Sequence, residues 1–120
     1  MSRKSAIVLA FGDFRAKPRT LYFTRSELNQ LLGLYSRHVA RGTWRDYAID
    51  HREGMALFSV FRHTHEAPVY RIVKTAPVPG RPVEFIVQSG RQRLRVSASL
   101  SDALEFFRTR LTVAAAERGG

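Results

Sequence analysis

The stretch PVEFIVQSGRQRLRVS, Pro82 to Ser97, decides how this chain is read. Ser89-Gly90 can serve as a two-residue turn between two runs of alternating polarity, which is the sequence signal of a β-hairpin. With Gln88 opposite Arg91, Val83 meets Val96, Phe85 meets Leu94 and Val87 meets Gln92 on one face. The other face pairs Glu84 with Arg95, Ile86 with Arg93 and Gln88 with Arg91. Arg91, Arg93 and Arg95 then project together from one strand, about 7 Å apart by the two-residue rise.

Upstream of the hairpin the period of two persists. Val69 to Lys74 reads as a strand with Tyr70 and Ile72 on one face and Val69, Arg71 and Val73 on the other. The intervening TAPVPGRP, with three prolines and a glycine, predicts a stiff loop. MALFSVFR, Met55 to Arg62, is apolar on both parities and fits a central strand covered on part of each face. In WRDYAID, Trp44 to Asp50, Tyr47 and Ile49 alternate with Asp46, Ala48 and Asp50, and His51 to Gly54 reads as a turn. An antiparallel register across that turn puts Tyr47 and Ile49 on the face of Ala56, Phe58 and Val60, with Leu57 and Phe61 pointing the other way.

A helix precedes these strands. Thr24 and Glu27 have capping-box spacing, and Phe23 and Leu28 have the spacing of a hydrophobic staple. Leu28, Leu31, Leu32, Tyr35 and Val39 then gather on one side, opposite Asn29, Ser36, Arg37 and Ala40. Gly42 sits where a terminating glycine belongs, with Arg37 and Arg41 complementing the helix dipole. A second helix, capped by Ser99 or Ser101, carries the stripe Leu100, Ala103, Leu104, Phe107, Leu111 and Ala114. The expected fold is α+β: a helix, a four-stranded antiparallel meander and a C-terminal helix, both helices on the sheet face of Phe58, Phe85 and Leu94. Residues 1–22 read as a basic arm able to form one short strand, 23–116 as a single domain and 117–120 as a frayed tail.

At 120 residues, 44% hydrophobic and 25% charged, the chain has the makeup of one soluble globule rather than a two-domain enzyme. The absence of cysteine excludes disulfides, cysteine nucleophiles, iron–sulfur clusters and thiolate zinc sites. AIVLAF, Ala6 to Phe11, is too short for a signal-peptide core or a membrane span, so a cytoplasmic protein without membrane association is expected. The net charge is +10, and seventeen of the twenty basic residues are arginine, the side chain best suited to planar contacts with phosphate, carboxylate and stacked rings.

Arg91, Arg93 and Arg95 therefore form a candidate polyanion-binding stripe, which Arg71, Lys74 and Arg81 would extend if the third strand lies beside the hairpin. Ile86, Phe61 and Trp44 would give it apolar surface for a base to stack on. The competing view is a solvated face on which Glu84 neutralises Arg95 and arginine stems cover Ile86. A different reading makes Leu57, Phe61 and Trp44 a contact for a protein partner or a second copy of the chain, unless the N-terminal arm covers them. WRDY is read structurally: Trp44 and Tyr47 seal the helix end on the sheet, while Arg45 or Asp46 pairs with a neighbour such as Arg62 or Arg71. His63 and His65 could with Glu66 offer metal ligands, but without further His or Cys nearby they read as an exposed loop end, and His38 and His51 read as surface histidines. No serine lies in a nucleophile elbow, and no glycine-rich phosphate loop or RNA-binding signature occurs. The expectation is a non-enzymatic binding module, with RNA or another polyanion as leading partner and with no catalytic residue, cofactor or metal.

Four segments also carry a family resemblance: ELNQLLGLYSR (Glu27 to Arg37), WRDYAID (Trp44 to Asp50), FSVFR (Phe58 to Arg62) and YRI (Tyr70 to Ile72). Together they resemble a mainly alphaproteobacterial family known as domain of unknown function 2794, strongly from Phe23 to Lys74 and more loosely across the last hairpin. The resemblance implies a bacterial cytoplasmic domain and no catalytic residue.

Overall fold

Thr24 opens the first helix as its sequence predicts. In the computed structural model, which describes residues 21–76, 78 and 80–108, its hydroxyl accepts the Glu27 N–H at 3.1 Å and the Glu27 carboxylate accepts the Thr24 N–H at 2.8 Å. Helix α1 (Arg25–Ala40) runs from that box to Arg41, where the chain turns at Gly42 with φ 77°. The Gly42 N–H donates to the Val39 carbonyl and the Thr43 N–H to that of His38, both at 2.9 Å. These two bonds make a Schellman motif, and its C′ position requires glycine. Five strands follow: β1 (Asp46–Arg52), β2 (Met55–Phe61), β3 (Tyr70–Thr75), β4 (Glu84–Ser89) and β5 (Gln92–Ser97). Helix α2 spans residues 100–108, capped by the Ser99 hydroxyl, which accepts the Asp102 N–H at 3.1 Å. The arm before residue 21, the stripe positions Leu111 and Ala114, and the tail at 117–120 lie outside the described residues.

The sheet is an antiparallel meander in the order β1-β2-β3-β4-β5, five strands where four were expected, because both arms of the last hairpin join the three strands before it as separate members. Glu53 and Gly54 alone make the first turn, with φ 70° at the glycine, so Arg52 pairs with Met55 and His51 belongs to a full strand rather than to the turn. The expected register holds: Tyr47 faces Val60 and Ile49 faces Phe58. Ala56, Phe58, Val60, Ile72, Phe85 and Val87 line the face beneath the helices, packed with Leu31, Leu34, Leu100, Ala103 and Phe107. Val69, expected on the far face, packs with this cluster instead, because it precedes β3 and lies outside its alternation.

Helix α1 is rotated relative to the predicted stripe. Leu31, Leu34 and His38 are its buried residues, while Val39 stays 43% exposed. Its rotation is fixed at the N-terminus by Lys74, which lies on the helix-covered face of β3 and is itself buried. The Lys74 ammonium donates to Glu27 Oε1 and to the Tyr22 carbonyl, each at 2.8 Å. A buried charge is tolerated only when so paired, and removing one partner of such a pair costs about 3 kcal/mol or more. Glu27→Ala should therefore lower the unfolding free energy in urea by about 3 kcal/mol, whereas Thr24→Ala, which removes the hydroxyl cap alone, should cost about 1 kcal/mol. Equal losses would mean that the ion pair adds nothing to the cap.

Candidate functional site

The last hairpin turns one residue later than its sequence suggests. Gly90 and Arg91 form the turn, with φ 60° at Gly90, and Ser89 stays in β4, where its hydroxyl donates to the Val69 carbonyl at 2.9 Å. Ser89 thus faces Gln92 and Gln88 faces Arg93, which leaves Arg93 on the sheet face away from the helices, as expected. Beyond that pair the register shifts between Val87 and Gln88, so that Val87 faces Arg95 and Ile86 faces Val96. The extra residue of such a bulge reverses the alternation. Leu94 packs into the core, Val96 emerges 46% exposed on the far face, and Arg95 swings to the helix side. There it donates to Asp102 at 3.0 Å, not to Glu84. Hydrogen bonds from Ser97 and Arg95 hold the Asp102 carboxyl below its usual range. The predicted stripe is therefore divided: Arg91 lies in the turn, Arg93 on the far face and Arg95 on the helix face.

The arginines that share a rim are set by the rest of the sheet. Arg71 faces Gln88, which faces Arg93, so the two arginines flank Gln88 on one face at about 10 Å, two strand spacings. Arg91 lies just beyond at the turn. Arg62, directly after β2, and Arg45, whose N–H donates to the Phe61 carbonyl at 2.8 Å, end at the same rim of the sheet. Among the described residues none of these five has a carboxylate within ion-pair distance. The other basic strand residues do: Arg52 with Asp50 at 3.6 Å, Lys74 with Glu27 and Arg95 with Asp102. Lys74 is withdrawn from the predicted patch because alternation from Tyr70 and Ile72 carries it under α1. Arg81 lies in the β3–β4 loop at the opposite rim. Arg45 and Arg62 were not in the predicted patch, since only the strand order reveals that they share a rim with Arg91.

The predicted partner contacts also separate. Trp44 is 3% exposed in the helix-side core and takes no part in the far face, because the Schellman turn directs it inward under α1. Leu57 is buried with its cross-strand neighbours Val73 and Ile86, so it offers no open contact, while Phe61 is half-buried. In WRDY the Asp46 carboxylate accepts the N–H of Tyr47 at 2.8 Å, and neither Arg45 nor Asp46 forms the expected ion pair among the described residues. His63 and His65 are exposed, and no group of three or more metal-ligating side chains occurs among the described residues. A cavity of about 570 Å³ between the outer sides of α1 and α2, crossed by the Gln30–Ser101 hydrogen bond, contains none of the predicted site residues. No described helix is long and apolar enough to cross a membrane.

The model of the family described as Protein of unknown function (DUF2794) matches residues 21–99, well over half of the chain, and the chain belongs to that family. The match takes in α1 and all five strands, and with them the five arginines of that rim. No curated protein and no solved structure matches the chain.

His38, read from sequence as a surface residue, is 7% exposed. Its ring stacks on that of Trp44 with centroids 3.8 Å apart and planes inclined by 12°, and meets Phe107 edge-on at 6.0 Å. Nδ1 lies 3.1 Å from the Leu34 carbonyl, which can only accept, so Nδ1 carries the hydrogen and Nε2 is the nitrogen that titrates. Burial lowers its pKa below the usual 6.5, aided by Arg37 and Arg41 and opposed by the bond to Leu34. Because the folded value is the lower one, the neutral ring's stabilising contribution is complete above pH 6.5 and is lost as pH falls through the folded pKa. Trp44 is the chain's single tryptophan, and imidazolium quenches a stacked indole. Acid titration should dim its emission with a midpoint below 6.5, and His38→Gln should abolish that step; an unchanged step in the variant would assign it elsewhere.

Proposed function

We propose that this member of the DUF2794 family is a non-enzymatic, cytoplasmic binding module that holds RNA or another polyanion at the basic rim of its sheet. One observation carries it: Arg45, Arg62, Arg71, Arg91 and Arg93 lie along one rim of the sheet, from the β1 edge to the β5 edge, and lack carboxylate partners among the described residues. Strands and tight turns fix where these arginines leave the backbone, and their planar guanidinium forks fit phosphate oxygens. Gln88, between Arg71 and Arg93, adds an amide that can both donate and accept. Half-buried Phe61 at the same rim supplies part of an aromatic face. Nothing in this arrangement selects a base edge, so binding depends on backbone charge and weakens steeply with salt.

Filter binding of mixed-sequence single-stranded RNA at low and moderate salt tests the reading. Changing Arg71, Arg91 and Arg93 together to Ala should cut affinity strongly at low salt and reduce the slope of log K against log salt by about 2. Arg81→Ala, at the opposite rim, should leave both nearly unchanged. Binding insensitive to salt, or retained in the triple variant, would sink the proposal.

A further inference from the structure

Strand β1 forms one edge of the sheet, and all seven of its residues are exposed. Tyr47 and His51 do not give their N–H groups to β2; each donates at 2.8 Å to the carboxylate of the preceding aspartate, Asp46 and Asp50. Those N–H groups therefore point away from the sheet, and by the period of two so does that of Ile49. The same edge concentrates exposed apolar surface: Tyr22 at 62%, Tyr47 at 39% and Ile49 at 40%. Tyr22 leans on His51 with ring centroids 4.7 Å apart, extending the strip along the edge.

We infer that β1 pairs with β1 of a second copy of the chain, antiparallel about a two-fold axis at Ile49, joining two sheets into one. This register is the one in which the edge is complementary to itself. Ile49 meets Ile49 of the second copy, and Tyr47 and His51 meet His51 and Tyr47. These are the residues whose main-chain groups point outward, so all three pairs exchange bonds, about six in total. On the other face Asp46 lies opposite Arg52 of the second copy and Arg52 opposite its Asp46, while Asp50 faces Ala48. Sliding the strands by two residues would separate both charge pairs. The aspartates guard the edge while it is unpaired. On association they release the two N–H groups, and Asp46 takes Arg52 of the second copy. The Arg52–Asp50 pair broken in exchange is 3.6 Å long with both side chains more than half exposed, so its loss costs little. The opposite edge, β5, is twisted by its bulge and offers no comparable row. This contact uses none of the five arginines proposed to hold polyanion.

Light scattering on nucleic-acid-free protein, from low micromolar to submillimolar concentration, reads the association directly. Wild type should rise from the monomer mass to twice that value. Asp46→Arg and Arg52→Asp should each remain monomeric, because both charge pairs become like-charged. A one-to-one mixture of the two variants should regain the dimer mass as a heterodimer visible in native mass spectrometry, which also shows that each variant is folded. A wild type that stays monomeric throughout, single variants that dimerise like wild type, or a mixture that fails to pair would each overturn the inference.

Discussion

An ammonium group withdrawn from water must be surrounded by oxygen atoms, and Lys74 finds them only where α1 begins. One carboxylate oxygen of Glu27 accepts both from Lys74 and from the Thr24 N–H, so a single atom caps the start of the helix and docks it. The Tyr22 carbonyl completes the cage and fixes where the chain enters, which leaves Phe23 to bury itself beside Leu28. With its first turn held, α1 can present only one side to the sheet: Leu31, Leu34 and His38. The Schellman motif then delivers Trp44 against His38 and hands the chain to β1. The lysine also leaves the pool of charge available to ligands, a consequence of fold rather than of composition.

How far the sequence could be read depends on where its periods break. Alternation placed Tyr47, Ile49, Phe58 and Ile72 correctly, because tight antiparallel pairing carries parity from strand to strand. It failed to keep Lys74 out of the expected basic patch, although the parity of Tyr70 and Ile72 already carries that residue to the helix side; Glu27 is too distant in sequence to be seen as its partner. A turn displaced by one residue left Arg93 on its expected face, but a bulge is invisible to a period-two argument and reversed Arg95 and Val96. Along α1 the predicted stripe left out Leu34, which lies beside Leu31 on the buried side, and His38 falls between them on the helical wheel but is not counted as apolar, so the stripe was centred too near Val39. The candidate site was legible in its residue type and in Arg71, Arg91 and Arg93, while its shape required the strand order.

The residues that carry the family resemblance serve mostly as architecture. Glu27 caps and docks α1, Leu31 and Leu34 fill the core, Trp44 seals its end, and Asp46 and Asp50 satisfy edge N–H groups. Such a set identifies the fold and says little about activity, because function resides in sites placed upon folds. Arg45, Arg62 and Arg71 lie within the same segments with no carboxylate partner for their side chains among the described residues, and with Phe61 they are where the motif and the proposed site overlap.

The meander has a kinetic meaning too. Each strand pairs with the next in sequence, and the connections are two tight turns and two loops of moderate length. Closing such loops costs little chain entropy, so the sheet can zip one hairpin at a time from either end. Contacts between distant parts of the chain come chiefly from the helices, as in Lys74 with Tyr22 and Gln30 with Ser101. A polypeptide emerging from the ribosome can thus assemble most of this sheet before the segment that forms α2 exists, and that last helix closes over a surface already in place.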